Sequence, residues 1–320
     1  MSEKVAVGVD IGGTKLAFAL IDENGALLAS HQLPTSPQRG SLAVLDDIAA
    51  GINHLLRQSP GEVLGVGIGT PGYTVPETGM VFGAVNLGWQ ELNLRDEVQQ
   101  RLEIRLPVFI RKDADASLLG EVYCGSARDC RDVLYVCIGS GLGGAAITGG
   151  RLITGASGMT VDIGHIYLIP DGRQCACGSY GCAETLISGP GLVAETRQQM
   201  AQGTWKTALQ DNEMLSPSEI ITAARTGDLL ACHVITNLAS SLGQVLAMCI
   251  SILNPAMIIL AGGVILSGFD IIVPEAVEEM KRHSLPHCTQ TLRIVPSGLT
   301  SSAIGAASLV YYRENEVLRR

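Results

Sequence analysis

Three glycine-rich turns, each directly after a run of apolar β-forming residues, constrain the fold more than any other feature of this chain. They are DIGGTK at 10–15, GSGLGG at 139–144 and AGGV at 261–264. Glycine has no Cβ, so the backbone N–H groups of such a turn can closely approach an anion. One such turn carries little weight. Three of them, together with an acidic residue at a strand end and a Cys/His cluster, predict a nucleotide held between two lobes.

The order of strands and turns occurs twice, at an offset of roughly 130 residues, which indicates an internal repeat. Strand, glycine turn, strand, hairpin and strand are predicted at Val5–Val9, Leu16–Ile21 and Ala26–Leu33, and again at Val133–Ile138, Ala145–Thr148 and Leu152–Thr154. Further strands are predicted at Val63–Ile68, Val108–Arg111, Met257–Leu260 and Leu292–Val295. Helical spacing is found at Ser41–Leu56, Leu94–Leu102, Ala114–Cys124, Ser218–Arg225 (with Ser218 as N-cap), Asp228–Ile252, Val273–His283 and from Ser301 onward.

This alternation of strands and helices is typical of an α/β protein with open, largely parallel sheets. The repeat predicts two such lobes. Ligands of these sheets bind outside the carboxyl ends of the strands, which is where all three glycine turns lie.

The composition argues against several classes of partner. The chain has 320 residues and a net charge of −9, without a Lys/Arg-rich run, so neither a nucleic acid nor an anionic membrane surface is expected as a partner. The strand pattern begins at Val5, so no signal peptide is expected. The longest apolar stretch, Leu246–Leu266, contains Asn-Pro and Gly-Gly pairs that argue against a membrane span. We therefore expect a cytoplasmic enzyme.

Two aspartates at strand ends can be interpreted in two ways each. Asp10 opens the first glycine turn, either as a partner of Mg²⁺ or as a turn residue that bonds its own backbone. Asp113 follows a strand and begins a helix. It is either an N-cap or a base that accepts the proton of a substrate hydroxyl. The helix N-terminus would favour the ionised form that a base requires.

A Cys/His cluster predicts a structural zinc site. His165 is followed by CACGSYGCAE at 175–184, so that Cys175, Cys177 and Cys182 complete a Cys₃His set. A disulfide with a spare thiol is the alternative interpretation, and coincidence is another. The other six cysteines are scattered without shared spacing, as expected of free thiols in a protein of a reducing compartment. Glu184 closely follows the cluster.

The chain resembles the ROK family of repressors, uncharacterised open reading frames and sugar kinases. The motifs that carry the resemblance run in order over almost the whole chain: VDIGGTK at 9–15, GTPG at 69–72, NLGW at 86–89, the turn at 139–144, Gly164-His165 with the cysteine cluster, and Asn254-Pro255 followed by Gly262-Gly263. The resemblance implies the actin-like ATPase fold, with two ribonuclease-H-like lobes and a nucleotide cleft between them. We expect lobes at 1–117 with 303–320 and at 118–302. It also implies ATP-dependent phosphorylation of a hexose or N-acetylhexosamine, usually by a homodimer.

The resemblance also implies roles for individual residues. Asp113 matches the general base, and His165, Cys175, Cys177 and Cys182 match zinc ligands. The sugar-binding positions are Asn86, Lys112, Asp162, His165 and Glu184. The positions that bind ATP and Mg²⁺ are Asp10, Gly12, Gly13, Thr14, Lys15, Gly139, Ser140, Gly141, Gly143, Gly262 and Gly263.

Three residues depart from the family pattern. Lys112 and Asp115 stand where the family usually has Asn on either side of Asp113-Ala114, and Asp162 replaces a Glu. Lys112 could pair with Asp113, pair with Asp162, or bind an acidic substrate. Asp115 could be an ordinary helix residue. These departures put the usual glucose specificity in doubt.

Three functions remain open at this point. The first is a sugar kinase with Asp113 as base. The second is a sugar-responsive regulator, which would carry a helix-turn-helix segment before the first strand. The third is a sugar-binding protein without turnover. The sequence identifies neither the sugar nor the phosphoryl donor, which could be ATP or polyphosphate.

Overall fold

The computed structural model describes residues 4–312. The strands are β1 Lys4–Ile11, β2 Lys15–Asp22, β3 Leu27–Pro34, β4 Glu62–Thr70, β5 Tyr73–Val75, β6 Met80–Ala84, β7 Trp89–Asn93, β8 Val108–Lys112, β9 Val133–Ile138, β10 Leu142–Thr148, β11 Arg151–Leu152, β12 Met257–Ala261 and β13 Arg293–Pro296. The helices are α1 Ser41–Leu56, α2 Leu94–Gln99, α3 Asp113–Tyr123, α4 Gly189–Gln202, α5 Pro217–Arg225, α6 Leu229–Leu253, α7 Gly263–Ser267, α8 Phe269–Arg282, α9 Pro286–Thr289 and α10 Ser302–Ser308.

The described chain divides into two compact units. Unit 1 contains the residues up to Arg131, Gly149–Thr160 and the residues from Ser297 on, and unit 2 contains Asp132–Thr148 and Val161–Pro296. These limits differ from the expected lobes 1–117 with 303–320 and 118–302, chiefly because all of α3 and the turn after it belong to unit 1. The division into lobes at 1–117 with 303–320 and at 118–302 therefore remains a prediction.

Unit 1 is built on a sheet in the order β3-β2-β1-β4-β8. Strand β2 is antiparallel to β1 and β3, whereas β1, β4 and β8 are parallel. One face packs against α1 and α2 in a hydrophobic core, and the other packs against α10. Gly8 permits this second contact, because a Cβ there would lie 1.9 Å from the carbonyl oxygen of Ala303 in α10.

Unit 1 also contains a small antiparallel sheet, β5-β6-β7, that the sequence did not predict. Its strands are only three to five residues long and glycine turns interrupt them, so the period-two signal is too short to recognise. A short 3₁₀ helix at Val85–Leu87, which carries Asn86, connects β6 to β7.

The strands of unit 2 lie in the order β10-β9-β12-β13. Strand β10 is antiparallel to β9, while β9, β12 and β13 are parallel, so the pattern of unit 1 recurs as the internal repeat predicted. Both sheets are mixed rather than largely parallel, because the first and second glycine turns each return the chain in a hairpin before the parallel strands are added.

The long apolar helix α6 packs against α5 and α8 within unit 2. By length and composition alone it could cross a membrane, but 56% of its most apolar window is buried inside the unit. That degree of burial is typical of a core helix of a globular protein.

The N-cap predicted for α5 was wrong. Ser216, not Ser218, caps this helix in a capping box with Glu219.

Helix α4 was not predicted from the sequence. Its pattern is weakly amphipathic, and Gly-Pro-Gly at its start suggests a turn, although Ser188 caps the helix there by accepting from the N–H of Gly191.

Candidate functional site

Three parallel strands of unit 1 end at the same edge and bring Asp10 and Asp113 together. In the sheet register Asp10 faces Gly69 on β4, and Gly69 faces Arg111 on β8, two residues before Asp113. A Cβ on Gly69 would lie 3.5 Å from the Cα of Asp113 and 3.7 Å from Oδ1 of Asp10. The glycine of GTPG therefore leaves open the space beside the two carboxylates.

Asp10 is a half-buried carboxylate with one hydrogen-bond donor from the far end of the chain. The hydroxyl of Ser302, at the start of α10, donates to its Oδ2. Burial raises the pKa of Asp10, while Ser302 and then Lys15 oppose that shift. The interpretation of Asp10 as a turn residue that bonds its own backbone does not account for this contact with Ser302.

Asp113 is the first residue of α3, and its carboxyl group titrates close to neutrality. Lys112, not Asp113, occupies the N-cap position, and Oδ1 of Asp113 accepts the N–H of Ala114 at 2.7 Å. Desolvation by the surrounding protein atoms, followed by the charge of Asp10, raises its pKa to about 6, although its side chain remains open to solvent. A carboxylate with these properties is suited to accept a proton.

The two carboxylates also form a donor set that fits Mg²⁺. Each is raised in pKa by desolvation, and Asp113 is raised further by its like-charged neighbour, so a divalent cation beside them would relieve both effects. Asp10 is the residue that would hold such an ion.

Lys112 forms an ion pair with Asp115, and its charge also opposes the rise in the pKa of Asp113. Its Nζ donates to the carbonyl oxygen of Thr160 at 2.9 Å and lies 3.9 Å from Oδ1 of Asp115. Asp115 is only 4% exposed, so it is not an ordinary helix residue. Burial raises its pKa to about 6, and the charges of Lys112 and Arg111 oppose that rise.

The first glycine turn lies between β1 and β2 and is held by backbone bonds. Gly12 donates to the carbonyl oxygen of Lys15 at 2.9 Å, and the hydroxyl of Thr35 donates to the carbonyl of Gly12 at 2.6 Å. The predicted sugar-binding residue Asn86 lies close to this turn, with its Cβ 3.5 Å from where a Cβ on Gly13 would be. Thr14 and the exposed Lys15 complete the turn.

The second glycine turn, between β9 and β10 of unit 2, is braced by Glu184. The carboxylate of Glu184 accepts the N–H of Leu142 at 2.9 Å through Oε2. A Cβ on Gly141 would lie 2.6 Å from the same oxygen, so a larger residue there would displace the Glu184 carboxylate. Gly139 donates to Gly141 and accepts from Gly189 at the start of α4, which closes the turn around Ser140. Glu184 therefore has a structural contact in addition to its predicted role toward a sugar.

The third glycine turn lies beside the second in the same sheet. Ala261, the last residue of β12, pairs with Cys137 on β9. Gly262 has a φ of 95°, and a Cβ there would lie 2.4 Å from the carbonyl oxygen of Ile138. Gly263 begins α7. Both turns thus lie at neighbouring carboxyl ends of parallel strands, as predicted.

The Cys/His cluster has the geometry of a closed four-ligand site. The ligand atoms of His165, Cys175, Cys177 and Cys182 all lie within 4.8 Å of one another. Sγ of Cys177 is 3.7 Å from Sγ of Cys182, and Sγ of Cys175 is 3.7 Å from Nδ1 of His165. Ligands about 2.0–2.3 Å from a tetrahedral zinc ion would be separated by similar distances. The donor set and spacing fit zinc.

Glycines form the turns that bring these ligands together. Gly178 and Gly181 have φ values of 90° and 73°, in the left-handed region. A Cβ on Gly181 would lie 1.9 Å from the carbonyl oxygen of Ile169. Asp162 lies at the entry to the short 3₁₀ helix Ile163–His165, and its carboxylate is 3.9 Å from Nε2 of His165. The structure therefore brings Asp162, His165 and Glu184 into unit 2 around the cluster.

Sequence reasoning missed three residues that support these groups. Ser302 and Thr35 hydrogen-bond Asp10 and Gly12, and Thr160 accepts from Lys112. All are polar residues whose partners lie far away in the chain, so no local pattern could have identified them.

Comparisons with known proteins agree with this architecture. The model of the ROK family matches residues 6–313. The glucokinase of Halalkalibacterium halodurans is 30% identical over 99% of this chain and 98% of its own length. A crystal structure of a ROK family glucokinase from Streptomyces griseus, in complex with glucose and AMPPNP, has a TM-score of 0.83 at 31% identity, covering 95% of this chain and 98% of that one.

Similarity extends to regulators. The crystal structure of a ROK family transcriptional regulator, a homologue of the Escherichia coli MLC protein, has a TM-score of 0.85 at 29% identity, covering 96% of this chain and 77% of that one. These likenesses confirm the actin-like ATPase fold with two lobes. With the family model matching nearly the whole chain, the protein belongs to the ROK family.

Proposed function

We propose that this ROK protein catalyses the ATP-dependent phosphorylation of a hydroxyl of a hexose or hexose derivative, with Asp113 as general base. The observation that carries the proposal is the position of Asp10 at the end of β1 and of Asp113 directly after β8, on either side of Gly69 of β4, with the pKa of Asp113 raised to about 6. The similarity to glucokinases over nearly the full length of both chains supports the class of reaction.

The chemistry assigns one task to each group. Asp113 takes the proton of the acceptor hydroxyl onto a carboxylate oxygen as the hydroxyl oxygen attacks the terminal phosphorus of ATP. The bond from that phosphorus to the bridging oxygen breaks, and ADP leaves. Bound Mg²⁺, held by Asp10, would offset the negative charge of the phosphates. The N–H groups of the glycine turns at Gly12-Gly13 and 139–144 bind phosphate oxygens, and the turn at Gly262-Gly263 receives the adenosine. Phosphoryl transfer depends mainly on such positioning and charge stabilisation.

Further parts of the proposal come from the family resemblance. Asn86, Asp162, His165 and Glu184 bind the sugar. Zinc bound by His165 and the three cysteines would supply structure rather than chemistry, since all four ligand positions are filled by protein. We also propose that the protein works as a homodimer in the cytoplasm.

Sugar-dependent release of ADP tests the proposed activity. A panel of hexoses, N-acetylhexosamines, ketoses and sugar acids is assayed with MgATP. The proposal expects turnover of at least one sugar, and Asp113→Asn is expected to reduce kcat by about 10²–10⁴-fold, the usual contribution of a general base. Asp129→Asn, which removes an exposed carboxylate from the turn after α3, is the matched control and should be unchanged. Full activity of Asp113→Asn would refute the assignment of the base.

A sugar-responsive regulator is the second candidate, favoured by the high structural similarity to a ROK transcriptional regulator. In that case sugar would raise the melting temperature without any turnover, with ATP or with polyphosphate. A promoter fragment would bind at physiological salt. Turnover together with no DNA binding would exclude the regulator.

A further inference from the structure

Helix α3 carries a buried carboxylate near its end to which the proposed reaction assigns no task. Glu121 is 0% exposed, and both of its oxygens accept hydrogen bonds from neutral donors. Oε2 accepts the N–H of Ser126 at 2.7 Å, and the N–H of Gly298 lies 3.1 Å from Oε1 and 3.2 Å from Oε2. The hydroxyl of Ser297 donates to Oε1. Loss of such a buried acceptor would leave these donors unsatisfied.

These donors belong to two segments of unit 1 that are far apart in the chain. Ser126 lies in the turn after α3, whereas Ser297 and Gly298 lie shortly before α10. The turn passes close to the carboxylate, since a Cβ on Gly125 would lie 2.1 Å from Oε2 of Glu121. Glu121 therefore fastens the segment that leads into α10 to the end of α3.

Helices α3 and α10 are in direct backbone contact. A Cβ on Gly120 would lie 2.4 Å from the Cα of Gly305 in α10. In the other direction, a Cβ on Gly305 would lie 2.8 Å from the carbonyl oxygen of Ala116 in α3. Because no side chain separates the helices at this crossing, a displacement of one helix is transmitted to the other.

Each of the two helices carries one group of the candidate site at its start. Asp113 is the first residue of α3, and Ser302, which donates to the carboxylate of Asp10, is the first residue of α10. An α-helix rises about 1.5 Å per residue, so Glu121 lies about 12 Å along α3 from Asp113. A tilt of this short helix at one end therefore moves the other end as well.

We propose that Glu121 is a positioning residue for the carboxylates of Asp10 and Asp113, because it fixes the segment before α10 to the end of α3 and so maintains the crossing of the two helices. The proposal rests on the proposed kinase function, which gives these two carboxylates their task. Glu121 acts through the helices and not on the reacting groups.

The titration of Asp113 reports on the crossing. Burial raises the pKa of Asp113 to about 6, and the charge of Asp10 raises it further than that of Asp115. The N–H of Ala114 and the charge of Lys112 lower it. A loosened crossing would admit water beside this carboxyl group, so its pKa should fall toward the ordinary value of 3.8.

Carbon-13 NMR of the protein labelled at the aspartate Cγ measures this titration without nucleotide or sugar. The resonance of Asp113 is assigned by its loss in Asp113→Asn. Glu121→Gln retains one acceptor oxygen of two and should lower the titration midpoint of Asp113 by about one pH unit. Ser297→Ala removes a single donor and should lower the midpoint by less, which keeps the test decisive if Glu121→Gln folds poorly.

A core substitution in the same unit separates positioning from stability. Leu55→Ala opens a cavity in α1, on the opposite face of the sheet from α10, and should lower the melting temperature at least as much as Glu121→Gln. It should leave the titration midpoint of Asp113 unchanged. An unchanged midpoint in both Glu121→Gln and Ser297→Ala, or an equal shift in Leu55→Ala, would overturn the proposal.

Kinetics connect this positioning to the proposed reaction. Glu121→Gln should lower kcat by about tenfold, with KM for the sugar within about threefold of wild type, and the pH midpoint of kcat/KM should fall together with the NMR midpoint. A lower midpoint by NMR with an unchanged kcat would overturn the positioning role. Failure of the kinase function would look different, because the wild type itself would then turn over no sugar.

Discussion

Ser302 donates its hydroxyl hydrogen to the carboxylate of Asp10, although the two residues are 292 positions apart in the chain. The bond joins the start of α10 to the end of β1. It favours the ionised form of a carboxylate whose burial otherwise raises its pKa. We infer that Ser302 maintains Asp10 in the state that binds a cation.

Ser302→Ala should therefore weaken the use of Mg²⁺. Without this donor the pKa of Asp10 rises further, and we expect the Mg²⁺ concentration for half-maximal velocity to increase by about 10–100-fold, the loss of one hydrogen bond to a charged group. KM for the sugar should change little. Ser301→Ala removes the neighbouring N-cap of α10 and serves as control, because it should lower the melting temperature without altering the Mg²⁺ dependence. Equal Mg²⁺ dependence of both variants would contradict this role.

The pH dependence of kcat/KM for MgATP should report the carboxyl group of Asp113. Its pKa in the folded protein is about 6, above the 3.8 of an isolated aspartate, so the group is protonated and inactive as a base below pH 6 and ionised above it. We expect kcat/KM to rise with pH and to reach half its plateau near pH 6. A midpoint near pH 4 would show that neither burial nor Asp10 shifts this group in the working enzyme.

Glu184 makes a hydrogen bond whose contribution can be tested separately from that of its negative charge. It accepts the N–H of Leu142 in the second glycine turn. Glu184→Ala removes this acceptor and should raise KM for ATP by about tenfold through a loosened turn. Glu184→Gln keeps an acceptor oxygen and should stay within about threefold. Glu213→Ala, an exposed glutamate, is the control. Equal damage to KM for ATP by Gln and Ala would mean that the charge, not the bond to Leu142, matters.

Replacing one ligand of the Cys/His cluster should release the metal. Cys177→Ser should reduce bound zinc from one equivalent per chain to a small fraction, measured by elemental analysis. The melting temperature should drop by more than about 5 °C, because a structural zinc site contributes several kcal/mol to folding. Cys288→Ser, at one of the scattered thiols, should retain the metal. One full equivalent of zinc in Cys177→Ser would refute this ligand set.

Local sequence patterns predicted the elements of this protein that depend only on residues close together in the chain. Strands β1, β9 and β12 and the glycine turns after them were recognised because apolar β-formers and glycines report on the backbone of their own segment. The three cysteines of the cluster lie within eight residues, so their convergence followed from the spacing and the glycines between them. Helix α1 was predicted with its observed bounds because its apolar residues recur with helical period.

Tertiary structure decided what depends on distant partners. Nothing near position 112 in the chain indicates that Lys112 bonds the carbonyl of Thr160, and nothing near Asp10 indicates Ser302. The pKa of Asp113 is likewise set by burial and by Asp10, a residue 103 positions earlier in the numbering. The sequence by itself determined which residue types stand at the strand ends. The folded sheet decided which of them meet and how strongly each carboxyl group holds its proton, because desolvation and charge act through space and not along the chain.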